Sequence, residues 1–250
     1  MKETTNYNKD AEGYRNIEIL LYHIEQRPQM YTGFLSLSNL YYFLQGYLLC
    51  GKLIIFLAEI DRYFQTEFSS WSRHWLSEKF TEFHFDKYQP WYHYFLMVSD
   101  TDADAMMLFF KASRVFLNDY IGSGSDTEEK IIHKNNHIPS LNIEALIYQI
   151  AIDPALYLEE MSIRNLENLL RGIGYCKVIL NISDATDRYY SRYMNSWMNQ
   201  RLSAYLDVEI EMEAFWSSYF IQYIKDEQNS LNLFLKLIRC FFGEYHRDGK

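Results

Sequence analysis

Asp207, Glu209, Glu211 and Glu213 alternate with Val208, Ile210 and Met212. In an extended chain successive side chains point to opposite faces, so this spacing puts four acids on one face. Four acids side by side repel each other unless something cationic neutralises them. The face supports three readings, led by a solvated edge guarded by charge. The second is a docking surface for a basic partner. The third is a divalent metal site, which needs oxygens from several directions. The tract 81–86 alternates as well, with Glu82 and Asp86 around Phe83 and Phe85. At this length a helical reading of either stretch stays open. Asp100, Asp102 and Asp104 form a third acidic group at a helix start, where the macrodipole favours negative charge and a local negative patch results.

Other chemistry is sparse. His74, His84 and His93 cluster around Trp71, Trp75 and Trp91, and His74 and His93 can approach each other. The sequence places no nucleophile or carboxylate with them. His133 and His137 are four apart in a polar, Asn-rich stretch with no third ligand nearby, which reads as solvated linker. Cys50, Cys176 and Cys240 form no C-x-x-C pair and sit in apolar surroundings, so they read as buried thiols in a reducing compartment. Nucleotide-binding glycine loops, H-E-x-x-H, G-x-S-x-G and the EF-hand loop are all missing. The expectation is a chain without catalytic residues, cofactor or metal.

The formal charge of -9 in 250 residues is spread evenly, -4 before and -5 after the bond following Ser125. Such a chain is repelled by phosphates and attracts a basic partner, so no nucleic-acid partner is expected. Ten Gly and four Pro amount to about half the average usage, which argues against a turn-rich β-sandwich or barrel and for helices. The longest apolar run, Leu53, Ile54, Ile55, Phe56, Leu57 and Ala58, is far too short to cross a membrane. The first sixteen residues are polar, with no signal-peptide core. A soluble cytoplasmic protein without a membrane partner is expected, in an oligomeric state the sequence leaves open.

The elements that must position these groups come in two sets. Residues 17–46 align without a gap on 143–172, at twelve identities in thirty positions, and Cys50 falls on Cys176. Further on, at an offset of 125, Trp91, Phe95, Phe109 and Phe116 fall on Trp216, Phe220, Phe234 and Phe241. A small gap between these blocks puts Trp75 near Trp197. The expected fold is all-α and mainly helical, a tandem duplication of a roughly 110-residue unit with one short extended segment per unit. Unit 1 spans 14–120, a linker 121–140, and unit 2 141–246. Ile17, Leu20, Leu21 and Ile24 give the first helix its apolar stripe, and Pro28 ends it. Ser36 and Ser162 are expected to cap a long second helix, apolar on more than one face and therefore central. Gly46 and Gly172 lie inside it; a glycine there costs about 1 kcal/mol, so its presence in both copies predicts close helix contact. Thr101 and Asp104 read as the capped start of the last helix.

The most specific local motif is Arg27, Pro28, Met30, Tyr31 and Gly33, in the form R-P-x-M-Y-x-G. It resembles a segment of gyrase B-type ATPases. The helix that follows lacks their Glu, Asp and Asn, and no D-x-G-x-G comes after it, so an ATPase is rejected. A structural account suffices, in which proline stops a helix and Met30 and Tyr31 pack the loop onto the core. The wider pattern continues through Ser36 to Tyr47, a Trp-containing helix, Pro90 and Trp91, and the acid-led helix 100–120. It resembles bacterial immunity proteins encoded beside polymorphic toxins, including those of contact-dependent inhibition systems. The resemblance covers unit 1. In unit 2, Asp153 and Glu159 replace Arg27 and Gly33. It implies a cytoplasmic protein that blocks a delivered toxin by tight, non-catalytic binding; the charge suits a basic toxin such as a nuclease domain. The competing readings are a helical enzyme with a site between the units, and a structural or regulatory helical module.

Overall fold

The structure is a computed structural model that describes residues 16–53, 57–122, 141–211 and 214–248. Among them 78% of the chain is helical, in eleven α-helices, with no strand. The first half holds α1 (Ile17–Gln26), α2 (Pro28–Thr32), α3 (Leu37–Leu53), α4 (Glu59–Lys79), α5 (Trp91–Met97) and α6 (Asp102–Gly122). The second half holds α7 (Ile143–Ile152), α8 (Ile163–Ile179), α9 (Ala185–Leu206), α10 (Trp216–Tyr219) and α11 (Glu227–Arg247). A 3-10 turn at Pro154–Leu156 stands where α2 stands in the first half, and a π turn at Phe220–Ile224 prolongs α10. Helix α6 runs two residues past the expected boundary at 120, and residues 123–140, with His133 and His137, lie outside the described residues.

The halves agree down to side chains. Asn16 caps α1 through the Ile19 amide, and Asn142 caps α7 through Ala145. Buried Asp61 accepts from the Ile17 amide, and buried Asp187 from Ile143. Trp91 stacks on Phe109 at 4.6 Å and Trp216 on Phe234 at 4.8 Å. Trp71 meets Phe116 edge-on at 5.3 Å, and Trp197 meets Phe241 at 5.4 Å. Trp197 is therefore the counterpart of Trp71, not Trp75. Helices α4 and α9 need no gap in this stretch, because aromatic packing sets their register.

The seam between the halves is α3 against α8. A Cβ added to Gly46 would meet the Leu169 carbonyl, 2.9 Å from its carbon, and 3.1 Å from the Ile173 amide nitrogen. One added to Gly172 would lie 2.9 Å from both the Phe43 carbonyl carbon and the Tyr47 amide nitrogen. Residue for residue the contacts are reciprocal, as across a two-fold axis. One turn further on, the Cys176 thiol donates to Cys50, which together with burial pushes the Cys176 thiol up. Both helices therefore run in the same direction. Positions 39, 43, 46 and 50, and 165, 169, 172 and 176, carry the four-three spacing of a coiled-coil seam. The close contact expected from the two mid-helix glycines is present: only hydrogen in place of Cβ lets the backbones approach this far.

Candidate functional site

The first motif loop is anchored on the other half. Pro28 opens α2, and Tyr31 is buried against Phe43 and Tyr175. Met30, expected to pack on the core, is 58% exposed, but its carbonyl accepts from Arg171 at 3.0 Å. Gly33 adopts φ +75, and a Cβ there would sit 2.6 Å from the Phe215 ring, so glycine is needed for both backbone and space. Arg27 is exposed between α1 and α2. The matching loop, 154–162, reaches back onto the first half. Tyr41 donates to Glu159 Oε1 at 2.6 Å, Tyr92 to Glu160 Oε1 at 3.2 Å, and the Glu160 amide to Tyr42 at 3.2 Å. Burial first, and Glu159 second, push the Tyr41 hydroxyl well above the usual tyrosine range, so it stays a donor.

Beside this loop a cleft of about 180 Å³ opens over Tyr41, Gln45, Pro90 and Trp91, with Glu159 and Tyr88 at its edge. A second, more open cleft of about 430 Å³ is lined by His74, His84, Arg73, Ser70 and Ser77. His74 also pairs with Glu78 at 3.2 Å. His93 faces Glu160 at 3.5 Å and is not among the residues lining that cleft. Among the described residues no group of three His, Cys, Asp or Glu side chains could hold a metal ion.

The candidate acids sort into two kinds. Asp207 ends α9 in a left-handed conformation (φ 53), and Asp207, Glu209 and Glu211 are exposed while Ile210 is buried. The alternation is real, yet this segment is neither helix nor paired strand. Its backbone is held by side chains instead: Asn199 donates to the Glu211 carbonyl at 3.1 Å, and the Glu211 amide donates to Tyr219 at 3.0 Å. Glu213 lies outside the described residues. Glu82 and Asp86 occupy the equivalent connection of the first half and are exposed; Asp86 also accepts from the Tyr88 amide at 3.0 Å. Asp100 is exposed, whereas Asp102 and Asp104 are engaged in capping. Thr101 and Asp104 make the expected reciprocal pair. Asp102 accepts from the Leu37 amide at the start of α3, and Glu227 does the same for Ile163 and α8 at 2.7 Å. The expected caps differ: Ser36 bonds Ser38 instead, and Ser162 makes no side-chain cap. An acid about 65 residues away in sequence supplies the acceptor, which local pattern reading does not reveal.

Two buried polar sites went unread in the sequence. Lys177 pairs with Asp187 at 2.9 Å, each side chain 4% exposed. Glu167, in the middle of α8, is buried and accepts from Ser217. Burial raises its carboxyl to about 7, against the pull of Ser217, Arg171 and Arg164. The folded state thus holds its proton more tightly than the unfolded chain. This stabilisation is complete below the unfolded value near 4.5 and is lost as pH rises through about 7. Glu167→Gln is expected to flatten the loss of stability across that window, on the order of 3 kcal/mol. Urea melts of both proteins at pH 5 and pH 8 check it; parallel profiles would refute the assignment.

Cys50 and Cys176 are buried as expected, but Cys240 is exposed. No helix among the described residues is long and apolar enough to cross a membrane. No protein-family model matches the chain, and neither the curated proteins nor the solved structures include a significant match.

Proposed function

We propose that the chain is a cytoplasmic, non-catalytic binding protein that neutralises a cognate bacterial toxin with a basic surface, such as a nuclease domain. The observation that carries this reading is the segment after α9. Asp207, Glu209 and Glu211 are exposed, and none has an ion pair or side-chain hydrogen bond among the described residues. The backbone is tied at Glu211 by Asn199 and Tyr219, which sets the path of the segment that carries them. Exposed carboxylates clustered on a chain of -9 steer a cationic partner and raise its association rate. The resemblance of the first half to immunity proteins points the same way.

The test is co-expression with a toxin domain encoded beside this chain, followed by growth and by purification of the complex. Failure of both rescue and complex formation sinks the reading. Charge reversal at Asp207, Glu209 and Glu211 to lysine is expected to slow association about tenfold or more at low salt. The helical spectrum and melting temperature stay unchanged. An association rate that does not move removes this segment from the interface. The enzyme reading draws on one observation, that His74 and His84 share a cleft with two serines and Arg73. If His74→Ala abolished protection without loss of complex, that reading would gain.

A further inference from the structure

We propose that the cleft beside Glu159 is a socket for a guanidinium group, presented by an arginine of the basic partner; its occupant rests on the binding function above. The two halves supply the argument. Tyr41, Gln45 and Pro90, which line the cleft in the first half, correspond to Glu167, Arg171 and Phe215 in the second. There the chain fills the equivalent place itself. The Arg171 guanidinium lies 4.3 Å from the centre of the Phe215 ring, donates to the Met30 carbonyl at 3.0 Å, and interacts with the Glu167 carboxyl. The neighbouring Arg164 sits 4.6 Å over Phe34 in the same loop region.

In the first half neutral Gln45 stands at the position of Arg171, and about 180 Å³ remains open. The ring and carboxylate that Arg171 uses are replaced here by Pro90 and Tyr41, but other residues around the cleft supply both kinds of group. Tyr88, 82% exposed, offers an open ring face, and the chain's own Lys87 already places its ammonium 4.8 Å from that ring's centre. Buried Tyr41 and Trp91 present only ring edges to the cleft. Glu159 supplies the carboxylate from the opposite half, where the first half's own loop has Gly33. One of its oxygens accepts the Tyr41 hydroxyl, which orients the group. An ionised carboxylate has about four acceptor sites, so it can take a guanidinium as well. A planar, weakly hydrated guanidinium stacks on rings in a way an ammonium does not, so arginine is preferred over lysine.

The test uses the full-length ¹⁵N-labelled protein without a toxin. The probes are N-acetyl-arginine amide, N-acetyl-lysine amide and N-acetyl-norleucine amide, followed through the Trp91 indole and the Gln45 and Gln89 side-chain amides. Arginine is expected to shift these signals, with lysine weaker and norleucine silent. Glu159→Gln weakens the arginine response roughly threefold to tenfold. Gln45→Arg, which fills the cleft from within as Arg171 does, abolishes it. Glu159 is exposed at the cleft edge and Gln45 is half-buried on α3, and the remaining spectrum reports whether the fold is kept. Equal response to all three probes, or unchanged binding in both variants, overturns the proposal. Free arginine binding about tenfold tighter than the capped form would assign the socket to a small guanidino compound instead, against the partner arginine. Because no toxin is present, a negative result here leaves the toxin-binding function untouched. A failed rescue, conversely, leaves the socket measurable.

Discussion

Gly46→Ala is expected to cost on the order of 3 kcal/mol or more and to lower the melting temperature by roughly 6–12 °C. Overpacking a core by a methyl group costs about 1–3 kcal/mol when side chains can yield. Here the added carbon meets backbone: the Leu169 carbonyl and the Ile173 amide of α8. Backbone cannot change rotamer, so α3 and α8 must separate, and every layer of the seam loosens with them. Gly172→Ala strikes the same seam from the other side, through Phe43 and Tyr47. The double variant is therefore expected to cost less than the sum, since the first substitution has already opened the space. Gly243→Ala is the control. Nothing lies within 4 Å of a Cβ there, and inside α11, a turn before its end, alanine is the better helix former by up to about 1 kcal/mol. Thermal melts that rank Gly243→Ala above wild type and both seam variants far below it check the account. A seam variant that melts with wild type would refute it.

The second large effect comes from Lys177→Met, with an expected loss of about 3–5 kcal/mol. Lys177 and Asp187 are each 4% exposed, so removing the cation leaves a carboxylate in a place without water. The lysine also donates to the Leu141 carbonyl at 2.9 Å, tying the end of α8 to the entry of α7. Asp187 in turn accepts from the Ile143 and Asp184 amides, so a double variant does not become neutral but loses less than the sum. A urea-melt cycle of Lys177→Met, Asp187→Asn and the pair measures the coupling. A single-variant loss below about 1 kcal/mol would mean that the pair behaves as an exposed one. The damage is confined to the second half, because Gly51 stands in the first half where Lys177 stands in the second.

Local periodicity and matched positions made much of the fold legible. The stripe of Ile17, Leu20, Leu21 and Ile24 is buried, and so are Phe109, Phe116, Phe234 and Phe241 on the last helix of each half. The paired mid-helix glycines announced the seam because a helix tolerates a glycine twice at one position only for a steric reason. Features made by long-range partners stayed hidden. The acceptors that start α3 and α8 are Asp102 and Glu227, far along the chain from the serines that looked like caps. Lys177 and Glu167 gave no signal, since each occurs in only one half and neither stands in a polar motif. Met30 points outward although its type suggests the core, because in so short a helix as α2 an apolar type does not say which way it points. In the acidic alternation Asp207, Glu209 and Glu211 are exposed about buried Ile210, but the segment is fixed by Asn199 and Tyr219 and not by a neighbouring strand.

The reciprocal seam also has a history in time. Phe43 and Leu169, or Gly46 and Gly172, are separated by 126 residues of chain. A ribosome adding roughly 5–20 residues per second takes about 6–25 s to make that length. Throughout this interval α3 exists without α8, and the face around Phe43, Tyr47 and Cys50 has nothing to lie against. The nascent first half is then the most adhesive form of the protein, and two ribosomes on one message bring two such faces together. The speed with which the second half emerges therefore sets how long that face stays open, independently of anything the finished protein binds.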